Sequence, residues 1–162
     1  MAPLARIPRE LLHVELDDLP SFGVPDSAGA ALRALLADLP AVPRATDSAQ
    51  LVGPRQVTLP CLAVLARRVG QGLRDHNLTL AHDRTRLQLE RRKLAFLDAD
   101  EVTAALARGD ARPGNEAVLF VLECTSQLTD LLTARESRGL ASYVTAERTL
   151  RGLAHWRRCS LE

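Results

Sequence analysis

Aromatic residues are scarce in this chain: three Phe, one Trp and one Tyr make up 3% of its 162 residues. Leu, Ala and Val must therefore fill most of the core, and a hydrophobic content of 46% over this length suffices for one domain. Lysine is scarcer still, Lys93 standing alone among 21 basic residues. Codon bias in a GC-rich genome accounts for that imbalance, so the arginines by themselves imply no nucleic-acid partner. Cysteine is limited to Cys61, Cys124 and Cys159, with no C-x-x-C pair, and the four histidines (His13, His76, His82, His155) stand at no metal-ligand spacing. A metal site is therefore not expected. The chain also lacks a signal peptide and any run of 18 apolar residues. These absences argue against a membrane span and place the protein in the cytoplasm with reduced thiols.

Net charge is +1, unevenly spread. Residues 1–50 hold 4 basic and 7 acidic side chains, whereas residues 51–162 hold 17 and 13. A mildly basic body is compatible with an acidic partner but falls short of the footprint of a strong DNA binder.

What is present is an ordered alternation of strand and helix signals. Residues 1–25 are Pro-rich and acidic and are expected to form an extended linker wrapping the surface. From Asp26 or Ser27 a capped helix should follow, with Ala28, Ala31, Leu32, Leu35, Leu36 and Leu39 on one face, until Pro40 and Pro43 stop it. "QLVG" reads as a short buried strand, followed by a six-residue loop and an apolar helix over about Leu59–Gly72. Pro60 fits the first turn of that helix, where no amide hydrogen is needed.

"NLTLAHDRTRLQLERR" alternates apolar and polar residues, with Leu78, Leu80 and His82 on one arm and Leu87 and Leu89 on the other. Period two predicts a β-hairpin over about 77–92. "KLAFLDADEVTAALARG" predicts a strand and then a helix opened by an Asp98–Glu101 capping box and closed at Gly109. "DARPGN" is a turn, and "EAVLFVLEC" is a continuous apolar run of the kind found in parallel strands covered on both faces. Thr125 or Ser126 should cap the next helix, which carries Leu128, Leu131 and Leu132 inward and ends before Gly139. "LASYVTAE" predicts another buried strand, and "RTLRGLAHWRR" a last helix with Leu150, Leu153, Ala154 and Trp156 inward.

Such alternation predicts a three-layer α/β domain over residues 26–162, a mainly parallel sheet between helices, with the hairpin as an insertion. Polar residues at the C-terminal ends of the strands, where sites form in such sheets, are Asp98, Glu123 and Thr145. Asp98 is already accounted for as a helix cap.

The segments from about His13 to Glu162 together resemble the AAA+ ATPase core of bacterial replication initiators and helicase loaders. "GVPDSAGAALRALLADLP" is similar to the linker helix of that family, "LVGPRQVTLPCLAVLARRV" to its P-loop unit, and "KLAFLDADEVTAAL" to its second strand and helix. "AVLFVLECTSQLTDLLTARESRGLASYVTAERTL" resembles the Walker B strand through the sensor-1 strand, and "HWRRCSLE" falls where an arginine-finger segment stands. The resemblance implies a P-loop NTPase-like fold. The helical lid that follows this core in the family is expected to be missing.

The motif letters are altered. A P-loop of the form G-x-x-x-x-G-K-[ST] curls glycine amides around phosphates, neutralises them with lysine and holds magnesium with the hydroxyl. Here the first glycine is Gly53, but the later positions are Thr58, Leu59 and Pro60, and Arg55 stands four residues before the lysine's place. The Walker B-like carboxylate is Glu123, followed by Cys124 instead of a second acid. Phosphoryl transfer depends on such positioned charges, so the resemblance implies a pseudo-ATPase with no cofactor and no catalytic residue. The same eight residues, "GPRQVTLP", also read as a plain strand-to-helix connection of another α/β fold.

The resemblance further implies a protein-interaction or regulatory module in DNA replication or repair, bound to another protein of that machinery, with a homodimer as one arrangement. The alternatives are a DNA-binding accessory protein and a weak nucleotide binder. Contacts to partner or DNA would come from the basic cluster Arg84, Arg86, Arg91, Arg92 and Lys93, and from Arg157 and Arg158. A solvated surface and a helix end explain those same charges without function.

Overall fold

The computed structural model describes residues 7–82 and 94–162, with backbone alone at 77–82. Among the described residues five strands form one parallel sheet in the order β2-β3-β4-β1-β5. They are β1 (Ala49–Val52), β2 (Leu94–Asp98), β3 (Val118–Leu122), β4 (Ala141–Ala146) and β5 (Arg157–Ser160). The helices are α1 (Asp26–Ala37), α2 (Arg55–His82), α3 (Ala99–Ala107), the single turn α4 (Arg112–Asn115) and α5 (Thr129–Ser137). The α/β fold expected from the sequence is the one observed.

Side-chain alternation assigns the two faces. In β3, Val118, Phe120 and Leu122 join the cluster built with α1 and α2, whereas Leu119 and Val121 join the cluster built with α3 and α5. The unbroken apolar run is therefore two interleaved period-two sets, one for each helical layer. Three of the few aromatic residues share one row across the sheet. Phe96 pairs in register with Phe120, and Phe120 with Tyr143, with ring centroids 6.2 and 5.4 Å apart. The scarce large side chains are thus concentrated against α2's side of the sheet.

The capping box is present as predicted: the Glu101 amide donates to Asp98 Oδ1 at 2.8 Å, and the Asp98 amide to Glu101 Oε1 at 3.1 Å. Gly109 and Gly139 follow their helices with φ of 77° and 78°, a conformation only glycine adopts without strain.

Several expectations need correction. Residues 7–25 of the N-terminal segment are not an extended linker: they form 3₁₀ turns at Arg9–Leu11 and Leu16–Phe22 and bury Leu11, Val14, Leu19 and Val24 in the core. Arg67 of α2 holds it there, donating to the carbonyls of His13 (2.9 Å) and Val14 (3.1 Å) and pairing with Glu15 at 2.6 Å. A second correction concerns α2, which does not stop at Gly72 but continues to His82. Gly72 is a contact residue, not a terminator, because an added Cβ would stand 2.9 Å from the Ala41 carbonyl oxygen.

The first arm of the predicted hairpin, 77–82, is consequently helical, and its remainder lies outside the described residues. Two or three alternating residues are too few to oppose extension of a helix already nucleated and packed. Finally, "RTLRGLAHWRR" is not a helix but a 3₁₀ turn at Arg151–Leu153 leading into β5. The buried Gln50 side chain satisfies that turn, accepting from the Leu150 amide at 2.9 Å and donating to the Leu153 carbonyl at 2.9 Å. Alternation of exposed Arg158 and Ser160 with buried Cys159 and Leu161 was the strand signal.

Candidate functional site

At the C-terminal ends of β1, β3 and β4 lies a cleft of about 260 Å³, lined by Gly53, Arg55, Thr58, Glu123, Cys124, Thr145, Ala146 and Glu147. Crevices at this end of a parallel sheet are where α/β proteins place their sites. Of the polar strand-end residues picked out in the sequence, Glu123 and Thr145 meet here, and Asp98 does not line the cleft.

The connection from β1 to α2 shapes the floor. Only Gly53 and Pro54 separate strand from helix, so the expected six-residue loop does not exist. The Gly53 amide donates to the Ala146 carbonyl at 3.0 Å, and the Val57 and Thr58 amides both donate to the Pro54 carbonyl at 2.9 and 3.0 Å. These three amides are thus already engaged within the protein. Glycine is needed at 53 for packing, since an added Cβ would meet the Leu161 carbonyl carbon at 3.2 Å. Thr58, Leu59 and Pro60 all lie within α2; Thr58 is buried, and Leu59, partly buried, packs against the core. Pro60 is in the second turn rather than the first, so α2 forgoes the bond that residue 60 would give the Gln56 carbonyl.

Glu123 is the one non-glycine residue with positive φ among the described residues, at 52°. Its backbone is fixed by two bonds to Thr145: the Glu123 amide donates to Thr145 Oγ1 at 2.9 Å, and the Cys124 amide to the Thr145 carbonyl at 2.8 Å. The Glu123 carboxylate stands 2.6 Å from Arg55 Nη1, each side chain 51% exposed. Arg55, at the start of α2, therefore reaches into the cleft. Burial pushes the Cys124 thiol up to about 11, which leaves it protonated and unreactive at neutral pH.

Of the groups that a magnesium nucleotide would call on here, the Gly53, Val57 and Thr58 amides are already bonded and the Glu123 carboxylate is matched to a guanidinium. Among the described residues no group of three metal-ligating side chains exists.

The other sequence candidates lie elsewhere. Arg157 and Arg158 pair in register with Ala49 and Gln50, at the opposite end of β1 from the cleft. Arg157 Nη1 is 2.7 Å from Asp38, and Arg158 Nη1 is 3.3 Å from Thr149 Oγ1. Arg84, Arg86, Arg91, Arg92 and Lys93 lie outside the described residues. Glu147 and the hydroxyl of Thr58 belong to the cleft but carried no motif that would mark them as a pair with Glu123.

No protein-family model matches the chain, and no curated protein matches its sequence. Among solved structures it is similar to the crystal structure of domain III from the Thermotoga maritima replication initiation protein DnaA, with a TM-score of 0.55. The two are 11% identical over 99% of this chain and 69% of that one. At such identity the likeness is one of fold, an α/β architecture with a parallel sheet. Among the described residues no helix is long and apolar enough to cross a membrane.

Proposed function

We propose that this protein is a non-hydrolysing AAA+-like module that acts by binding another protein of the DNA replication or repair machinery. One observation carries the reading. The strand-to-helix connection that holds nucleotide in a P-loop protein is reduced to Gly53-Pro54, with Arg55 paired to Glu123 across the cleft. The likeness to a domain of a replication initiation protein supports the setting. Binding of DNA is the alternative. Against it, Arg157 is already paired with Asp38 and so offers a phosphate less than a free cation would.

Thermal unfolding of the whole chain in the presence of millimolar MgATP, and separately of duplex DNA, tests the reading. A nucleotide at 100 times its dissociation constant would add about 2.7 kcal/mol of stability. Neither addition is expected to shift the midpoint. A saturable rise with MgATP would overturn the reading, and a rise with DNA that fades as salt increases would replace it by the alternative.

A further inference from the structure

The sheet ends on β5, and the outer side of that strand is open. The Leu161 amide donates to the Val52 carbonyl at 2.8 Å, and the parallel register sets Val52 beside Ser160. In a parallel ladder a residue bonds to the neighbours on either side of its partner, so Val52 is served by Cys159 and Leu161. By the same alternation Arg158 and Ser160 turn their N–H and C=O groups away from β1. Both residues are exposed, and among the described residues neither has a backbone bond outside the sheet. Two donors and two acceptors therefore face solvent at the spacing of an absent strand.

The same edge carries unbalanced positive charge. Arg157 is matched to Asp38 at 2.7 Å, but Arg158 reaches only the Thr149 hydroxyl, at 3.3 Å. That contact brings its head to the loop that holds Arg148 and Arg151, both exposed and without an ion pair among the described residues. Glu147 and Glu162, the acids nearest in sequence, pair with none of the three. A second copy added through this edge would set like charge against like, which destabilises a strand pair. An acidic strand has the complementary sign. Nucleic acid shares that sign but offers no alternating donors and acceptors to match the open backbone groups.

We propose that β5 receives an extended acidic segment of a partner polypeptide as an added strand, resting on the reading that this protein acts by binding another protein. Main-chain bonds to Arg158 and Ser160 set the register of the guest, and acidic side chains on one of its faces meet Arg158, Arg148 and Arg151. The receiving edge is built in advance, since bonds to β1 already hold β5 extended.

The test is amide exchange with solvent, followed by NMR on the ¹⁵N-labelled whole chain titrated with the blocked peptide acetyl-Val-Glu-Val-Glu-Val-amide. The same peptide with glutamine for glutamate is the control, and oligo-deoxythymidylate is titrated in parallel. The acidic peptide is expected to slow exchange at the Arg158 and Ser160 amides and to leave the Leu161 amide, bonded to Val52, unchanged. Glutamine should weaken binding about two- to fivefold for each acid replaced, the worth of one exposed ion pair. Ser160→Pro removes an outward N–H without touching a bond to β1, so binding should be lost with the thermal midpoint kept. Arg158→Glu should reject the glutamate peptide and accept its lysine counterpart, which tests the charge even where Ser160→Pro fails to fold. Absence of protection at Arg158 and Ser160, or undiminished glutamate binding by Arg158→Glu, would overturn the proposal. With the oligonucleotide also silent, the proposed function would still stand. Saturable oligonucleotide binding at this edge that fades with salt, in place of peptide binding, would overturn both.

Discussion

Arg135, 1% exposed, donates from Nε to Ser142 Oγ at 2.8 Å, tying the last turn of α5 to the strand that follows it. The rest of its guanidinium donates to backbone: Nη1 to Pro113 (3.0 Å) and Glu116 (2.8 Å), and Nη2 to Ala141 (2.8 Å). Among the described residues it makes no ion pair, and burial, helped by Arg138 and opposed by Glu116, lowers its pKa to about 10. The residue joins α4, the start of β3 and the start of β4. Arg135→Ala would leave three carbonyls without this partner, so a loss of about 3–5 kcal/mol is expected in urea unfolding. Arg135→Lys should recover only a minor part, because a single ammonium cannot span those acceptors. Full recovery by lysine would refute the geometric role.

Two helical glycines should respond oppositely to alanine. At Gly29 in α1 an added Cβ meets nothing within 4 Å, so Gly29→Ala should raise stability by about 0.5–1 kcal/mol through helix propensity. At Gly72 the Cβ would stand 2.9 Å from the Ala41 carbonyl oxygen. Gly72→Ala must push the loop after α1 off α2, and overpacking of that kind costs about 1–3 kcal/mol, more than the propensity gained. Thermal midpoints of the two variants check the sign of each.

Alkaline pH should destabilise the fold through its buried thiols. Burial, with a smaller effect of Cys159, pushes Cys61 from 9.0 up to about 12; burial also pushes Cys124 from 9.0 up to about 11 and raises Cys159. A raised folded pKa means the stabilisation is complete below pH 9.0, the unfolded value, and fades as pH climbs toward the folded one. Between pH 8 and 10 the unfolded chain loses these protons while the native chain keeps them. Each of Cys61 and Cys124 should then cost about 1.4 kcal/mol over that interval. Urea midpoints at pH 8 and 10 test this, and Cys61→Ala should flatten the slope by its own share.

Much of the fold was legible because it rests on local or periodic signals. The Asp98–Glu101 box, the stops at Gly109 and Gly139, and the strands at "LAFLD", "VLFVL" and "ASYVTA" all stand where their residues indicate. The failures share a cause. Gly72 reads as punctuation in one dimension, but its reason lies in Ala41, 31 positions away in sequence and at van der Waals distance in space. Likewise "RTLRGLAHWRR" has helical spacing, yet its turn is held by the Gln50 side chain and its end pairs as a strand with Ala49 and Gln50. The cleft was half legible: Glu123 and Thr145 stood at strand ends, while Arg55 reached it only because the loop closed to two residues.

The sequence by itself determined the class of fold and the residue types at the strand ends, since hydrophobic period and residue type are properties of the chain alone. Tertiary structure decided which of those residues meet. Parallel strands distant in sequence bring Glu123, Thr145 and Arg55 to one end of the sheet, and only there does the Arg55–Glu123 pair form. Charges act through space at a few ångströms, so a site made of them exists only once the sheet has set those distances.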